Sequence, residues 1–76
     1  DSARITLNGK DSVGMCAGIN SAIRGKKGDW ITLAEWKYDE DKERYVPVCV
    51  KSAQIDGKII KENKFYILRD GEFKEC

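Results

Sequence analysis

The sequence contains no histidine, and only one of its 76 residues is a proline. Histidine is the commonest general base and metal ligand, so its absence removes the usual routes to acid–base catalysis and zinc binding. No apolar run approaches the ~20 residues of a membrane span, and no signal-peptide pattern opens the chain. We therefore expect no enzymatic activity, no cofactor, no metal and no membrane association.

Neither sign of charge is in excess. The chain has 14 Lys and Arg against 13 Asp and Glu, a formal net charge of +1, which excludes a strongly basic nucleic-acid-binding arm. Its length fits a single domain over residues 1–76. A hydrophobic content of 41% with abundant aromatic and β-branched residues indicates a globular chain rather than a disordered one. A protein is therefore the favoured partner, and nucleic acid is disfavoured.

The three cysteines, Cys16, Cys49 and Cys76, are an odd number with no paired spacing. The favoured interpretation is reduced thiols, with the first two packed as small apolar side chains. This favours a cytoplasmic or virion location over secretion. A disulfide between Cys49 and Cys76 is the alternative, and it would imply secretion. The patterned sequence already present at residues 1–5 predicts that the chain is the excised end of a longer one, or a mature form that has lost its start.

The composition changes near Gly28. Five of the seven glycines lie up to that point, and all seven aromatic residues follow it, which divides the domain into residues 1–29 and 30–76. The first part can be written as three frames of nine residues, 3–11, 12–20 and 21–29, with Asp11, Asn20 and Asp29 at the frame ends. Asp and Asn cap turns through their own backbone, so each frame is predicted to end in a turn.

A nine-residue period of small residues with a turn in each frame is typical of a narrow β-solenoid, in which stacked coils pair their backbones. A helix over residues 12–24 is the competing interpretation. Five residues of low helix propensity argue against it, because each costs up to ~1 kcal/mol relative to alanine. They are Ser12, Gly14, Gly18, Asn20 and Ser21.

The second part is predicted to be an antiparallel sheet. A strand over residues 30–36 precedes a charged loop over 38–45, and Val46, Val48 and Val50 are expected on one face of the next strand. Pro47 lacks an N–H group, so that strand should lie at a sheet edge or carry a bulge.

Two Asp-Gly dipeptides, Asp56-Gly57 and Asp70-Gly71, are strong hairpin signals between apolar residues. A two-residue turn at the second would place Arg69 opposite Glu72 and Leu68 opposite Phe73. The predicted fold class is therefore all-β, with short β-solenoid-like rungs followed by a small antiparallel β-hairpin sheet.

Three stretches carry a resemblance: residues 9–12, residues 25–35, and the tail over 53–58 and 65–73. Together they resemble an uncharacterised C-terminal module of phage and gut-bacterial proteins built from Ser/Ala/Thr/Gly/Asp nonapeptide repeats. The repeats are more distantly similar to the head repeats of trimeric autotransporter adhesins. The resemblance implies a terminal cap on a β-solenoid, of unknown biochemical role. The charged loop at 39–44, Cys76 and the small number of repeats depart from the usual module.

Trp30 occupies the position where the next frame would have a small residue. A large ring cannot fit inside a narrow coil, so the hypothesis is that Trp30 lies across the open end, buried over residues 21–24.

Several constellations have a structural and a functional interpretation. Calcium along Asp11, Asn20 and Asp29 is imaginable, but turn capping is the preferred role. Residues 25–28 resemble a phosphate-binding loop without its full spacing. Aromatic residues beside cations form the candidate binding set, although pairing of the rings across a hairpin is the more frequent cause of such a pattern. The set is Trp36, Tyr38, Arg44 and Tyr45.

The sequence thus predicts a non-enzymatic β module that caps a repeat solenoid and supports assembly or a protein–protein contact. Self-association, including as a trimer, is one form of that contact. The alternative is a small phage-type inhibitor that binds a host defence protein through the aromatic-flanked loop.

Overall fold

The computed structural model describes residues 3–76, which form seven strands and no helix. This confirms the all-β prediction and rules out the competing helix over 12–24. The strands are β1 (Arg4–Thr6), β2 (Val13–Cys16), β3 (Ala22–Arg24), β4 (Trp30–Asp39), β5 (Arg44–Gln54), β6 (Tyr66–Arg69) and β7 (Glu72–Glu75).

The strands form two sheets. One has four strands in the order β1-β3-β6-β7, and the other has three in the order β2-β4-β5. The core lies between the sheets, and its largest fully buried apolar side chains are Ile23, Ile31, Leu33 and Ile55. Consecutive strands β1 to β4 alternate between the two sheets.

The pairings within the first part are parallel. Arg4 of β1 lies beside Ala22 of β3, eighteen residues later, and Val13 of β2 lies beside Trp30 of β4, seventeen residues later. The strands thus recur about every nine residues, as the frames predict. Left-handed backbone marks the corners between them, at Asp11 (φ 55°), Asn20 (φ 57°) and Gly28 (φ 98°).

Asp29 differs from the other two frame-end residues. Its side chain is fully buried, and its carboxylate accepts hydrogen bonds from Ser12 N (2.8 Å) and Lys26 N (2.9 Å). Its backbone carbonyl accepts from Ile55 N, and Gly28 N donates to the carbonyl of Ile55. Asp29 therefore closes the third corner and ties it both to the start of β2 and to the second part of the chain.

The change from parallel to antiparallel pairing occurs across β4. This strand lies between β2, which it pairs in parallel, and β5, which it pairs in antiparallel fashion. The hairpin turn occupies residues 40–43, so it is shorter than the loop predicted over 38–45. Pro47 lies on the edge strand β5 beside a bulge, which confirms both parts of that prediction.

The same bulge overturns the predicted alignment of the three valines. Because the register shifts between Glu35 and Trp36, the partner of Glu35 is Cys49 and the partner of Trp36 is Pro47, which leaves Val48 as the extra residue. A bulge switches the alternation of a strand, so Val46 and Val50 point to opposite faces.

The two Asp-Gly dipeptides behave differently. Asp70 (φ 54°) and Gly71 (φ 75°) form a two-residue turn with left-handed backbone at both positions, and the predicted register of β6 and β7 is confirmed. Asp56-Gly57 makes a turn, but the hairpin prediction there is wrong, since no strand follows until Tyr66. The Asp56 carboxylate instead accepts from the backbone N–H groups of residues 58–60, which curls the chain into a loop.

The hypothesis that Trp30 is buried over residues 21–24 is also wrong. Trp30 is 47% exposed and pairs with Val13 and Gln54 in the three-stranded sheet. Strand alternation sends Ile31 into the core and leaves Trp30 on the opposite face.

Candidate binding surface

The four predicted binding residues lie on the β4–β5 hairpin but not on one face. Tyr38 is paired with Tyr45, and Trp36 precedes Tyr38 by two residues, so these three side chains share one face of the sheet. Arg44 is paired with Asp39, which places it on the opposite face. The structure therefore brings the three aromatic residues together and separates Arg44 from them.

The two tyrosines form a cross-strand pair. Their ring centroids are 5.4 Å apart with an interplanar angle of 78°, an edge-to-face arrangement that aromatic rings favour. This confirms the interpretation that rings at the hairpin ends pack on each other. Tyr38 and Tyr45 nevertheless remain about half exposed, so the pair also presents aromatic surface to solvent.

Trp36 anchors the end of β2. Its indole N–H donates a hydrogen bond to the carbonyl of Ala17 at 2.8 Å, just beyond the last residue of that strand. The ring therefore occupies the space on this face that further residues of β2 would otherwise cover.

We call the side of β2, β4 and β5 that points away from the core the outer face. On β4 the outward positions are Trp30 and every second residue after it. On β2 and β5 they are the residues paired with those β4 positions. The outer-face positions are Val13, Met15, Trp30, Thr32, Ala34, Trp36, Tyr38, Tyr45, Pro47, Val50, Ser52 and Gln54.

None of the outer-face positions is charged, although charged residues make up 36% of the chain. Its polar groups bond locally: Thr32 Oγ1 lies 2.7 Å from Ser52 Oγ, and Gln54 Nε2 donates to the carbonyl of Gly28 at 3.1 Å. Large exposed apolar patches mark interaction sites more often than ordinary surface does. The outer face is therefore the candidate binding surface.

The sequence prediction missed the contribution of β2. Val13 and Met15 are 68% and 69% exposed and extend the aromatic surface of β4 sideways. The nine-residue frames alone place Val13 beside Ile31, eighteen residues later. The pairing of Val13 with Trp30 depends on the one-residue shift at the Gly28 corner, which the frames do not predict.

On the core side of β4, one carboxylate holds the last hairpin. Glu35 is 7% exposed, and it accepts hydrogen bonds from Asp70 N (2.8 Å) and Gly71 N (3.0 Å). These bonds, led by that from Gly71, hold the pKa of Glu35 below its ordinary value although burial acts to raise it. The arrangement fixes the β6–β7 turn against the other sheet.

Asp56 is a second carboxylate with a structural role. The backbone N–H groups of Lys58, Ile60 and Ile59 hold the pKa of Asp56 below its ordinary value. A low pKa favours the ionised form, which suits an acceptor of several hydrogen bonds rather than a proton donor.

The remaining chemistry-bearing groups are dispersed. Cys16 is buried, Cys49 half-buried and Cys76 exposed, and all three are free thiols. Among residues 3–76, no three His, Cys, Asp or Glu side chains are grouped so that they could hold a metal ion. The described part of the chain also has no helix of the length and hydrophobicity needed to cross a membrane.

A cleft of about 470 Å³ opens beside the β4–β6 contact. Arg4, Lys37 and Arg69 line it together with Glu35 and Asp70, so charges of both signs face it. The acceptor atoms of Glu35 are already bonded to the turn at 70–71, and Lys37 Nζ lies 4.0 Å from Asp70 Oδ1. The outer face remains the more coherent surface.

No protein-family model, curated protein or solved structure shows significant similarity to this chain.

Proposed function

We propose that the chain is a non-enzymatic β module that caps a repeat β-solenoid and supports its assembly. The observation that carries this proposal is a difference between the edges of the sheets. The edges formed by β1 and β2 suit the addition of a further coil, whereas those formed by β5 and β7 resist it.

The period of the first part supports a coil with two strands per turn. Parallel partners lie eighteen and then seventeen residues apart, and consecutive strands alternate between the sheets. The shorter second interval coincides with the displaced corner at Gly28, which follows Asn20 by eight residues rather than nine. In a solenoid each coil pairs with its neighbours in this parallel manner.

The β2 edge is suited to accept a parallel strand. Ser12 uses its N–H and its carbonyl towards the third corner and β4, bonding to Asp29 Oδ1 and Trp30 N. Successive residues of a strand direct their backbone groups to alternate sides, so those of Val13 and Met15 face away from β4. Strand β2 has no charge, proline or bulge that would discourage pairing.

The opposite edges carry the features that proteins use to prevent strand addition. Strand β5 contains Pro47 and the bulge at Val48, and three of the four residues of β7 are charged. Proline, bulges and charged side chains all discourage edge-to-edge pairing. One end of the stack is therefore protected, which is what a terminal cap requires.

The test adds one coil to the protein. Duplicating residues 3–20 directly before Ala3 inserts eighteen residues and keeps the corner spacing, so it should place two new strands beside β1 and β2. We expect a higher melting temperature and slower amide exchange at the original Val13 and Met15, because nearest-neighbour pairing stabilises solenoids. A matched insert of the same composition in scrambled order should do neither.

Unchanged exchange at those two amides, in a protein that still melts cooperatively, would overturn the capping proposal. Protection that also appears with the scrambled insert would overturn it too, because pairing would then not depend on the nine-residue period.

A small phage-type inhibitor of a host defence protein is the second candidate. The observation favouring it is the exposed Tyr38–Tyr45 pair at the end of a hairpin in a molecule 42 Å long and about half as wide. A stable monomer at all concentrations would favour this candidate over assembly.

A further inference from the structure

We propose that the outer face binds the outer face of a second copy of this chain, forming a two-fold symmetric dimer. The inference concerns a sheet face and not the β1 and β2 edges, so it stands or falls separately from the capping proposal. Three properties of the face support it: its exposed area, its lack of charge, and the hydrogen bonds that its strands already make to each other.

The exposed apolar area has the size that a stable interface needs. Six large apolar residues of the outer face are between 47% and 69% exposed. Since a full aromatic side chain offers 150–250 Å², together they present on the order of 800 Å², the area that each partner contributes to a standard interface. They are Val13, Met15, Trp30, Tyr38, Tyr45 and Val50.

The absence of charge favours a copy of the same chain as the partner. A two-fold interface is self-complementary, so residues of the outer face would meet other residues of the same face. A charged group on this face would be buried against an apolar surface without an opposite charge, which is unfavourable. The outer face has no charged position in β2, β4 or β5. Stacking two such faces brings no like charges together.

The outer face can also be buried without leaving polar groups within it unpaired. Its strands already bond to each other, and the side-chain polar groups of Thr32, Trp36 and Gln54 have partners within the chain. Two sheets packed face to face interdigitate their side chains at a spacing of about 10 Å. The aromatic rings of Trp30, Tyr38 and Tyr45 would supply most of the contact area.

The test measures the molecular mass of the protein by sedimentation over a wide concentration range, together with tryptophan emission. We expect a reversible monomer–dimer equilibrium, with a blue shift as Trp30 leaves water. Val50→Lys would bury an unpaired charge in the apolar interface, so the dimer Kd should rise on the order of 100-fold or more. Met15→Lys, on the other side of the face, should do the same.

Ile59→Lys is the matched control. Ile59 is 84% exposed, more than any of the large apolar residues of the outer face, but it lies in the loop between β5 and β6 and away from that face. It should leave the dimer Kd within about twofold, since surface substitutions outside an interface usually change free energies by under ~0.5 kcal/mol. Circular dichroism and melting of each variant confirm that it is folded.

A wild-type protein that stays monomeric at every concentration would overturn the inference, as would a stable trimer. Equal effects of Val50→Lys and Ile59→Lys would overturn it as well. If Val50→Lys abolishes the dimer while the added coil still protects Val13, both proposals stand. If a dimer persists in Val50→Lys and the coil is protected, the face inference fails and the capping proposal survives.

Discussion

The parallel first part and the antiparallel second part of this chain bring their paired strands together in different ways. In the first part, strands that pair lie eighteen or seventeen residues apart, so a corner must return the chain after each strand. In the second part, β6 and β7 are joined directly by a two-residue turn. The first design depends on distant residues meeting, and the second depends on local turn geometry.

Each part nevertheless has one buried carboxylate at its critical corner. Asp29 accepts from Ser12 N and Lys26 N, and Glu35 accepts from Asp70 N and Gly71 N. In both cases a carboxylate, rather than a neighbouring strand, accepts the hydrogen bonds of backbone N–H groups that point inward. The difference is one of connectivity, because Asp29 lies within the corner it closes and Glu35 reaches across from the other sheet.

The largest effect should follow from removing the first of these ties. Asp29→Ala leaves two inward backbone N–H groups without an acceptor, and we expect it to lower the free energy of unfolding by about 3 kcal/mol in urea denaturation at neutral pH. Asp41→Ala, in the exposed turn of β4–β5, should change it by less than ~0.5 kcal/mol. Similar values for the two variants would show that the corner does not depend on its carboxylate.

The second effect should be smaller and dependent on pH. Glu35→Gln keeps one acceptor oxygen but turns an amide towards the other N–H donor, so the melting temperature should fall at neutral pH. The pKa of Glu35 is lowered in the folded protein, so its stabilisation is complete above the ordinary value of 4.5 and is lost as the pH falls through the folded pKa. The difference between wild type and Glu35→Gln should therefore shrink in acid.

Lys37→Met is the control for that experiment. It removes the ion pair of Lys37 with Asp70, whose atoms are 4.0 Å apart and whose side chains are mostly exposed. Such pairs contribute little, and the charge of Lys37 lowers the pKa of Glu35 less than the two backbone hydrogen bonds do. Its melting curve should therefore stay close to that of wild type at both pH values. A gap between wild type and Glu35→Gln that is constant across pH would contradict the assignment of the tie to the ionised carboxylate.

The features that could be predicted from the sequence are those that local turn geometry sets. The β6–β7 register was predictable because Asp70 and Gly71 both accept left-handed backbone, and such a turn fixes which residues face each other. The nine-residue frames were predictable because Asp and Asn at their ends favour turns. Both signals are local.

The features that sequence reasoning missed depend on long-range contacts. Asp56-Gly57 has the same letters as Asp70-Gly71, yet its carboxylate caps three following N–H groups and no strand follows for pairing. The predicted position of Trp30 was wrong because its orientation is set by pairing with Val13 and not by its place in the nine-residue frame. The outer face depends on that pairing too, so the sequence predicted only three of its residues, Trp36, Tyr38 and Tyr45.

The smallest effect should come from the β6–β7 turn. It tests whether the register of that hairpin is set by its own turn or by contacts with the other sheet. Gly71 has a φ of 75° and no atom within 4 Å of where a Cβ would lie, so Gly71→Ala meets only the conformational penalty of left-handed backbone. We expect a loss of about 1 kcal/mol in the free energy of unfolding. Gly71→Asn should lose less, because asparagine visits that conformation more readily. If alanine and asparagine cost the same, the hairpin would owe its register to Glu35 and β4 rather than to its turn, and the contrast between the two parts of the chain would disappear.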